Sequence, residues 1–134
     1  MSPQTQASSR QVDGPLLKVT DLRTAFRTDR GLVKSVDGVS FTLDRGKSLG
    51  IVGESGSGKT VLSRSIMGLL PKRNTERSGS VVFEGQEIIN LSLSERRKVW
   101  GKEMSMIFQD PMTSLNPVMR VGKQLGEGLK IHLG

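Results

Sequence analysis

The residues of this chain whose types and spacing could do chemistry are Gly53-Glu54-Ser55-Gly56-Ser57-Gly58-Lys59-Thr60. They fit the pattern G-x-x-x-x-G-K-[ST], a loop built to hold phosphate. Gly53, Gly56 and Gly58 let the backbone curl so that consecutive N–H groups point inward at one anion. A helix beginning near Lys59 would add its unpaired N-terminal amides and the positive end of its dipole. Lys59 supplies a mobile cation for β- and γ-phosphates, and Thr60 offers a hydroxyl to Mg2+, a hard ion that prefers oxygen ligands. The competing account is a flexible Gly/Ser turn. Gly-Lys-Thr at a helix start has no packing purpose, which argues against it.

Such a loop works only between a strand and a helix. Ser48-Leu49-Gly50-Ile51-Val52 precedes it, a short apolar run that predicts a buried strand. After it, Leu62, Ile66, Leu69 and Leu70 fall at i, i+4, i+7 and i+8, which predicts an amphipathic helix stopped by Pro71. Upstream, Leu16-Leu17-Lys18-Val19-Thr20 reads as a strand, and Thr28-Asp29-Arg30-Gly31 as a turn. Val39, Phe41 and Leu43 alternate with Ser40 and Thr42, as in a half-buried strand that ends at Asp44-Arg45-Gly46. Downstream, Ser80 to Glu84 predicts a strand bounded by Gly79 and Gly85, and Ser94 the cap of a short helix over 95–100. Met104 to Phe108 has the length and composition of a further strand, and Asp110-Pro111 and Asn116-Pro117 break the chain into a loop. Residues 121–133 read as helical, although Gly126 and Gly128 each cost about 1 kcal/mol against Ala there. Strands first, then strand and helix in alternation, imply a mixed α/β fold. Residues 1–15, rich in Ser, Gln, Thr and Pro, are expected to be a disordered lead-in.

Composition removes whole classes of function. The absence of cysteine excludes disulfides, thiolate metal sites and cysteine nucleophiles in this chain, and a single histidine, His132, argues against histidine-based metal sites and Ser-His-Asp triads. No apolar run approaches the roughly 18 residues of a membrane span, and the N-terminus lacks the apolar stretch of a secretory signal. The net charge of +7 could favour nucleic acid, but the basic residues are dispersed and the densest run is only Arg96-Arg97-Lys98. With one Trp, four Phe and no Tyr there is no basic–aromatic interleaving to stack bases, so a solvated basic surface is the better reading.

Taken together, GIVGESGSGKT with its following helix and MSMIFQDPMTSLNPVMRVGKQL resemble the ATP-binding subunits of ABC transporters, those of dipeptide and oligopeptide permeases in particular. The resemblance runs from about Leu16 to the last residue. It implies a P-loop NTPase core with an N-terminal antiparallel β subdomain, and makes residues 53–60 a Walker A loop that binds ATP with Mg2+. On this resemblance Lys59 and Gln109 are the catalytic positions, and Gly53, Glu54, Ser55, Gly56, Ser57, Gly58, Lys59, Thr60 and Gln109 contact the cofactor. Thr60 and Gln109 would hold Mg2+, and Gln109 the attacking water as well. Phe26 matches the aromatic residue that stacks on adenine; Phe41 competes for that role, but its alternation with Val39 and Leu43 points it into the core.

The same resemblance implies a peripheral location on the cytoplasmic face of the cell membrane. Its partners would be a second ATPase subunit and permease membrane subunits, the latter met by the loop after Gln109, from Pro111 to Pro117. The family's signature motif, Walker B strand and switch histidine are not found up to Gly134, and His132 lacks the apolar strand that would precede a switch histidine. Residues 16–134 are therefore expected to be a partial nucleotide-binding domain, truncated before Walker B, in an importer of peptides or similar small solutes. A nucleotide-holding module without turnover is the second reading. Another P-loop NTPase, a GTPase or kinase, is the third, and the Gln109-Asp110-Pro111 loop argues against it.

Overall fold

Two long strands, β1 (Leu17–Thr28) and β2 (Gly31–Leu43), run antiparallel around the turn at Asp29-Arg30. They match the expected strands at 16–20 and 39–43 and extend both toward the turn. In this computed structural model the described residues are 13–54, 56, 58–108 and 115–133; they fall into two compact units divided between Asn90 and Leu91. The predicted tail at 1–15 lies outside them for residues 1–12. In the first unit, β3 (Thr75–Phe83) pairs with the other edge of β1, and the two-residue β4 (Gln86–Glu87) closes a hairpin on β3. The sheet order is β2-β1-β3-β4, antiparallel throughout.

Three bulges shape this sheet. At Asp21, whose φ is 44°, both pairings of β1 slip, so Thr20 and Asp21 face outward together between buried Val19 and buried Leu22. Gly79 lies opposite with φ +101°, and a Cβ there would stand 2.4 Å from the Asp21 carbonyl oxygen. Only glycine fits that approach. The residue expected to bound β3 therefore sits inside it. The other two are on β2: Leu22 pairs with Val39 but Arg23 with Asp37, leaving Gly38 unopposed, and Thr24 pairs with Val36 but Ala25 with Lys34, leaving Ser35 unopposed.

Helix α1 (Lys59–Met67) lies against β1 and β2. It ends sooner than Pro71 would require, because Gly68 closes it with N–H bonds to the carbonyls of Arg64 and Ser65. Val19, Leu22, Val36, Leu62, Val81, Ile88 and Ile89 form the apolar interior, with Thr24 and Ser65 buried among them.

The run Ser48 to Val52 is not a strand. It is irregular, and Val52 is 95% exposed. A buried strand must pair along its edges, and the four described strands of this unit pair only with one another. Met104 to Phe108 departs from expectation for the same reason: Met104 makes one isolated bridge to Trp100, and Ile107 is 97% exposed.

The second unit holds α2 (Leu93–Val99) and α3 (Val121–Leu133). The cap of α2 is Ser92 rather than Ser94. Its hydroxyl accepts from the Glu95 amide while the Glu95 carboxylate accepts from the Ser92 amide at 2.8 Å, a reciprocal capping box. Helix α3 forms where expected, glycines included. Its Gln124 side chain accepts from the Asn116 amide at 2.7 Å and donates to the carbonyls of Asn116 and Met119, each at 2.8 Å.

Candidate functional site

The phosphate-type loop joins the irregular segment after β2 to the first turn of α1. Gly58 is the residue before α1, with φ 92° and ψ 7°, and it rests on the β2 bulge at Ser35. A Cβ on Gly58 would come within 2.3 Å of the Ser35 carbonyl oxygen, so a larger residue would lift the helix start off the sheet. The amide of Leu62 donates to the Gly58 carbonyl at 2.8 Å and starts the helical ladder. The amides before it have no intrahelical acceptor, and the first turn of α1 carries no acidic side chain to occupy them.

Lys59 reaches back across the loop. Its Nζ donates to the Gly53 carbonyl, and to the Glu54 carbonyl at 2.9 Å. The ammonium thus stands at the mouth of the loop, where an anion bound by the helix amides would meet it. Gly53, Glu54, Gly56 and Thr60 are exposed, and a Cβ at Gly56 would have nothing within 4 Å. The cradle is open, lined by backbone, and carries one lysine. That donor set suits a polyphosphate.

Of the residues read from the sequence, Gly53, Glu54, Gly58 and Lys59 are brought together, with Gly56 and Thr60 on the same short segment. Ser55, Ser57 and Gln109 lie outside the described residues, as does the loop from Pro111 to Ser114. Phe26 is half-buried in β1 opposite Val33 and Thr75; the contacts that define the loop do not include it. Phe41 is also half-buried, as its alternation suggests. Ser35 escaped the sequence reading because a backbone carbonyl at a bulge leaves no residue signature.

Among the described residues, no cluster of three His, Asp or Glu side chains could hold a metal ion. Mg2+ is commonly held through few protein oxygens together with substrate phosphates, which fits a site whose metal ligand would be the Thr60 hydroxyl. A separate cleft of about 370 Å³ opens over the strands, lined in part by Arg23, Lys34, Asp37 and Glu76. It is not at the loop, and both of its guanidinium groups are already bound, Arg23 pairing with Asp21 at 2.8 Å and Asp37 at 2.5 Å and Arg77 donating to the Ser65 carbonyl at 2.7 Å.

The described loop and helix lie within a stretch, residues 36–131, that matches the ABC transporter family. The chain belongs to that family. Its antiparallel sheet fits the N-terminal subdomain of an ABC ATPase, and Phe26 lies ahead of the matched stretch. Among curated relatives, the oligopeptide transport ATP-binding protein OppD of Haemophilus influenzae is 52% identical over 120 residues, covering 90% of this chain. OppD of Bacillus subtilis is 52% identical over 118 residues, 87% of this chain, and a putative peptide import ATP-binding protein of Brucella abortus is 47% identical over 120, 90% of this chain. The chain spans 37%, 33% and 36% of the length of these three relatives, about a third of each. No helix among the described residues of this ABC chain is long and apolar enough to cross a membrane.

Proposed function

We propose that this chain binds Mg-ATP through residues 53–60 and is part of the ATP-binding subunit of an ABC importer that takes up peptides or similar small solutes. The observation that carries the reading is Lys59, turned into a loop of backbone donors at the start of α1, with its ammonium beside the Gly53 and Glu54 carbonyls. In phosphoryl transfer a protein contributes positioning and charge neutralisation, and this loop supplies both. Lys59 would leave its two carbonyls for phosphate oxygens, the amides of Gly56 and Gly58 and of the first helical turn would take the remaining oxygens, and Thr60 would hold Mg2+. The metal, when bound, neutralises charge developing on the phosphates.

Gln109 is proposed for Mg2+ and the attacking water, and Phe26 for the adenine face. Similarity to peptide-import subunits supports placement at the cytoplasmic face of the membrane, with a second ATPase subunit and with permease subunits met by the loop after Gln109. The core would be a P-loop NTPase carrying the antiparallel sheet as its subdomain, and residues 16–134 the part that precedes Walker B. A second reading is a module that holds nucleotide without turnover; the contacts of the described loop, Lys59 on the Gly53 and Glu54 carbonyls, are those of a binding site.

Calorimetric titration with Mg-ATP tests the binding. Lys59→Ala should lower affinity at least tenfold, the scale of a charged hydrogen bond, with an unchanged far-UV spectrum. Phe26→Ala should weaken ATP and leave inorganic triphosphate alone. Equal Mg-ATP affinity in wild type and Lys59→Ala would overturn the phosphate-loop assignment.

A further inference from the structure

The amides that would face a phosphate belong to the first turn of α1, so the loop is only as well placed as that helix. Helix α1 contributes one buried apolar side chain, Leu62, to the interior, with Val61, Ile66 and Met67 half-buried. Apolar burial has no direction, so these contacts hold the nine-residue helix on its sheet without fixing where along it the helix sits. Directed bonds restrain it instead. Thr24 Oγ1 and Ser65 Oγ share a hydrogen bond of 2.7 Å, and both residues have no exposed surface. Arg77 of β3 donates through one nitrogen to the Ser65 carbonyl at 2.7 Å and through the other to the Ile89 carbonyl. The Ser65 carbonyl lies in the last turn, where it also accepts from the Gly68 amide at 3.2 Å and where a cation complements the dipole.

We propose that Thr24, Ser65 and Arg77 are positioning residues for nucleotide binding, which fix α1 to β1 and β3 so that its first turn holds the phosphate loop in register. The proposal rests on the binding role assigned to residues 53–60. Ser65 is six positions beyond Lys59, about 9 Å along the axis, so the pin and the loop belong to one rigid rod. At the loop end Gly58 has no clearance against Ser35. A displacement of α1 would therefore disturb the seat of the loop. Two hydroxyls in an apolar interior are not needed for stability, since same-shaped apolar groups can replace such a pair at little cost when both are changed together. What the pair adds is a fixed distance.

The test separates position from stability in the 134-residue chain. Thr24→Val and Ser65→Ala are made singly and together, then melted thermally and titrated with Mg-ATP and with inorganic triphosphate. Each single variant strands one buried hydroxyl, and both melting temperature and affinity should fall. The double variant should regain most of the melting temperature, yet bind both ligands roughly three- to tenfold more weakly than wild type. Thr24→Ser keeps the hydroxyl and should keep the affinity. Affinity that recovers with the melting temperature in the double variant would overturn the proposal alone. A wild-type chain that binds neither ligand would overturn the nucleotide-binding reading beneath it.

Discussion

Leu22 in β1 is wholly enclosed, while Leu125 in α3 is 70% exposed, and the two leucines stand for the two units they occupy. The sheet and α1 close around Val19, Val36, Leu62, Val81 and their neighbours. After Ile89 no described residue is buried to the same degree. The described residues of the second unit are ordered by local hydrogen bonding: the capping box of Ser92 and Glu95, and the Gln124 amide holding the turn from Asn116 to Met119. Burial binds distant segments into one cooperative body, whereas local bonds hold only what is near them. The site follows this division. Its loop rests on the unit with an interior, Gly58 seated on the β2 bulge at Ser35.

The largest effect should come from Leu22→Ala. Removing that side chain opens a cavity under both α1 and the sheet and should destabilise the first unit by about 2–5 kcal/mol, read by denaturant unfolding. Leu125→Ala, its control, should change the same midpoint by no more than about 0.5 kcal/mol. Comparable losses from the two would break the comparison.

Next in size is Ser92→Ala. It deletes the hydroxyl that accepts from the Glu95 amide, leaves the backbone amide that donates to the Glu95 carboxylate, and should cost about 1 kcal/mol, seen as faster amide exchange confined to α2. Exchange that rises equally in β1 would mean the units unfold together.

The smallest effect concerns acid. Partial burial pulls the Glu87 carboxyl upward, but bonds from Ser80 and from the Val81, Ile88 and Ile89 amides outweigh it and hold the group below its usual range. Its folded value lies below the unfolded one, so its stabilisation is complete above the ordinary carboxylate range and fades as pH falls through the folded value. Glu87→Gln should therefore melt slightly below wild type at neutral pH, with the gap closing as the solution is acidified. A gap that widens in acid would contradict the hydrogen-bonded carboxylate.

The sequence made the phosphate-type loop legible because its chemistry is written in residue types at fixed spacing: Gly53, Gly58, Lys59 and Thr60 mean the same in any surroundings. Alternation at Val39, Phe41 and Leu43 was equally plain, since each strand residue answers to its own face. Ile51 and Val52 misled for the opposite reason: an apolar run states that a segment could be buried, not that a partner stands beside it. Gly79 shows a third case. It reads as a strand boundary, and only the approach of the Asp21 carbonyl reveals why a glycine stands in mid-strand. Ser92 was within reach, because Ser-x-x-Glu spacing marks the cap better than the serine two places on. The Thr24–Ser65 pair spans 41 positions, and no local pattern announces it.

One detail of the second unit decides how any of this is observed. The chain has one tryptophan and no tyrosine, and Trp100 closes α2 beside the bridge to Met104. Its tryptophan emission therefore originates in the second unit, while the circular dichroism of the described strands originates in the first. The two signals are separate thermometers placed in separate rooms. An emission midpoint records the locally bonded unit, a strand dichroism midpoint records the unit with the interior, and where the two differ neither one is the stability of the chain.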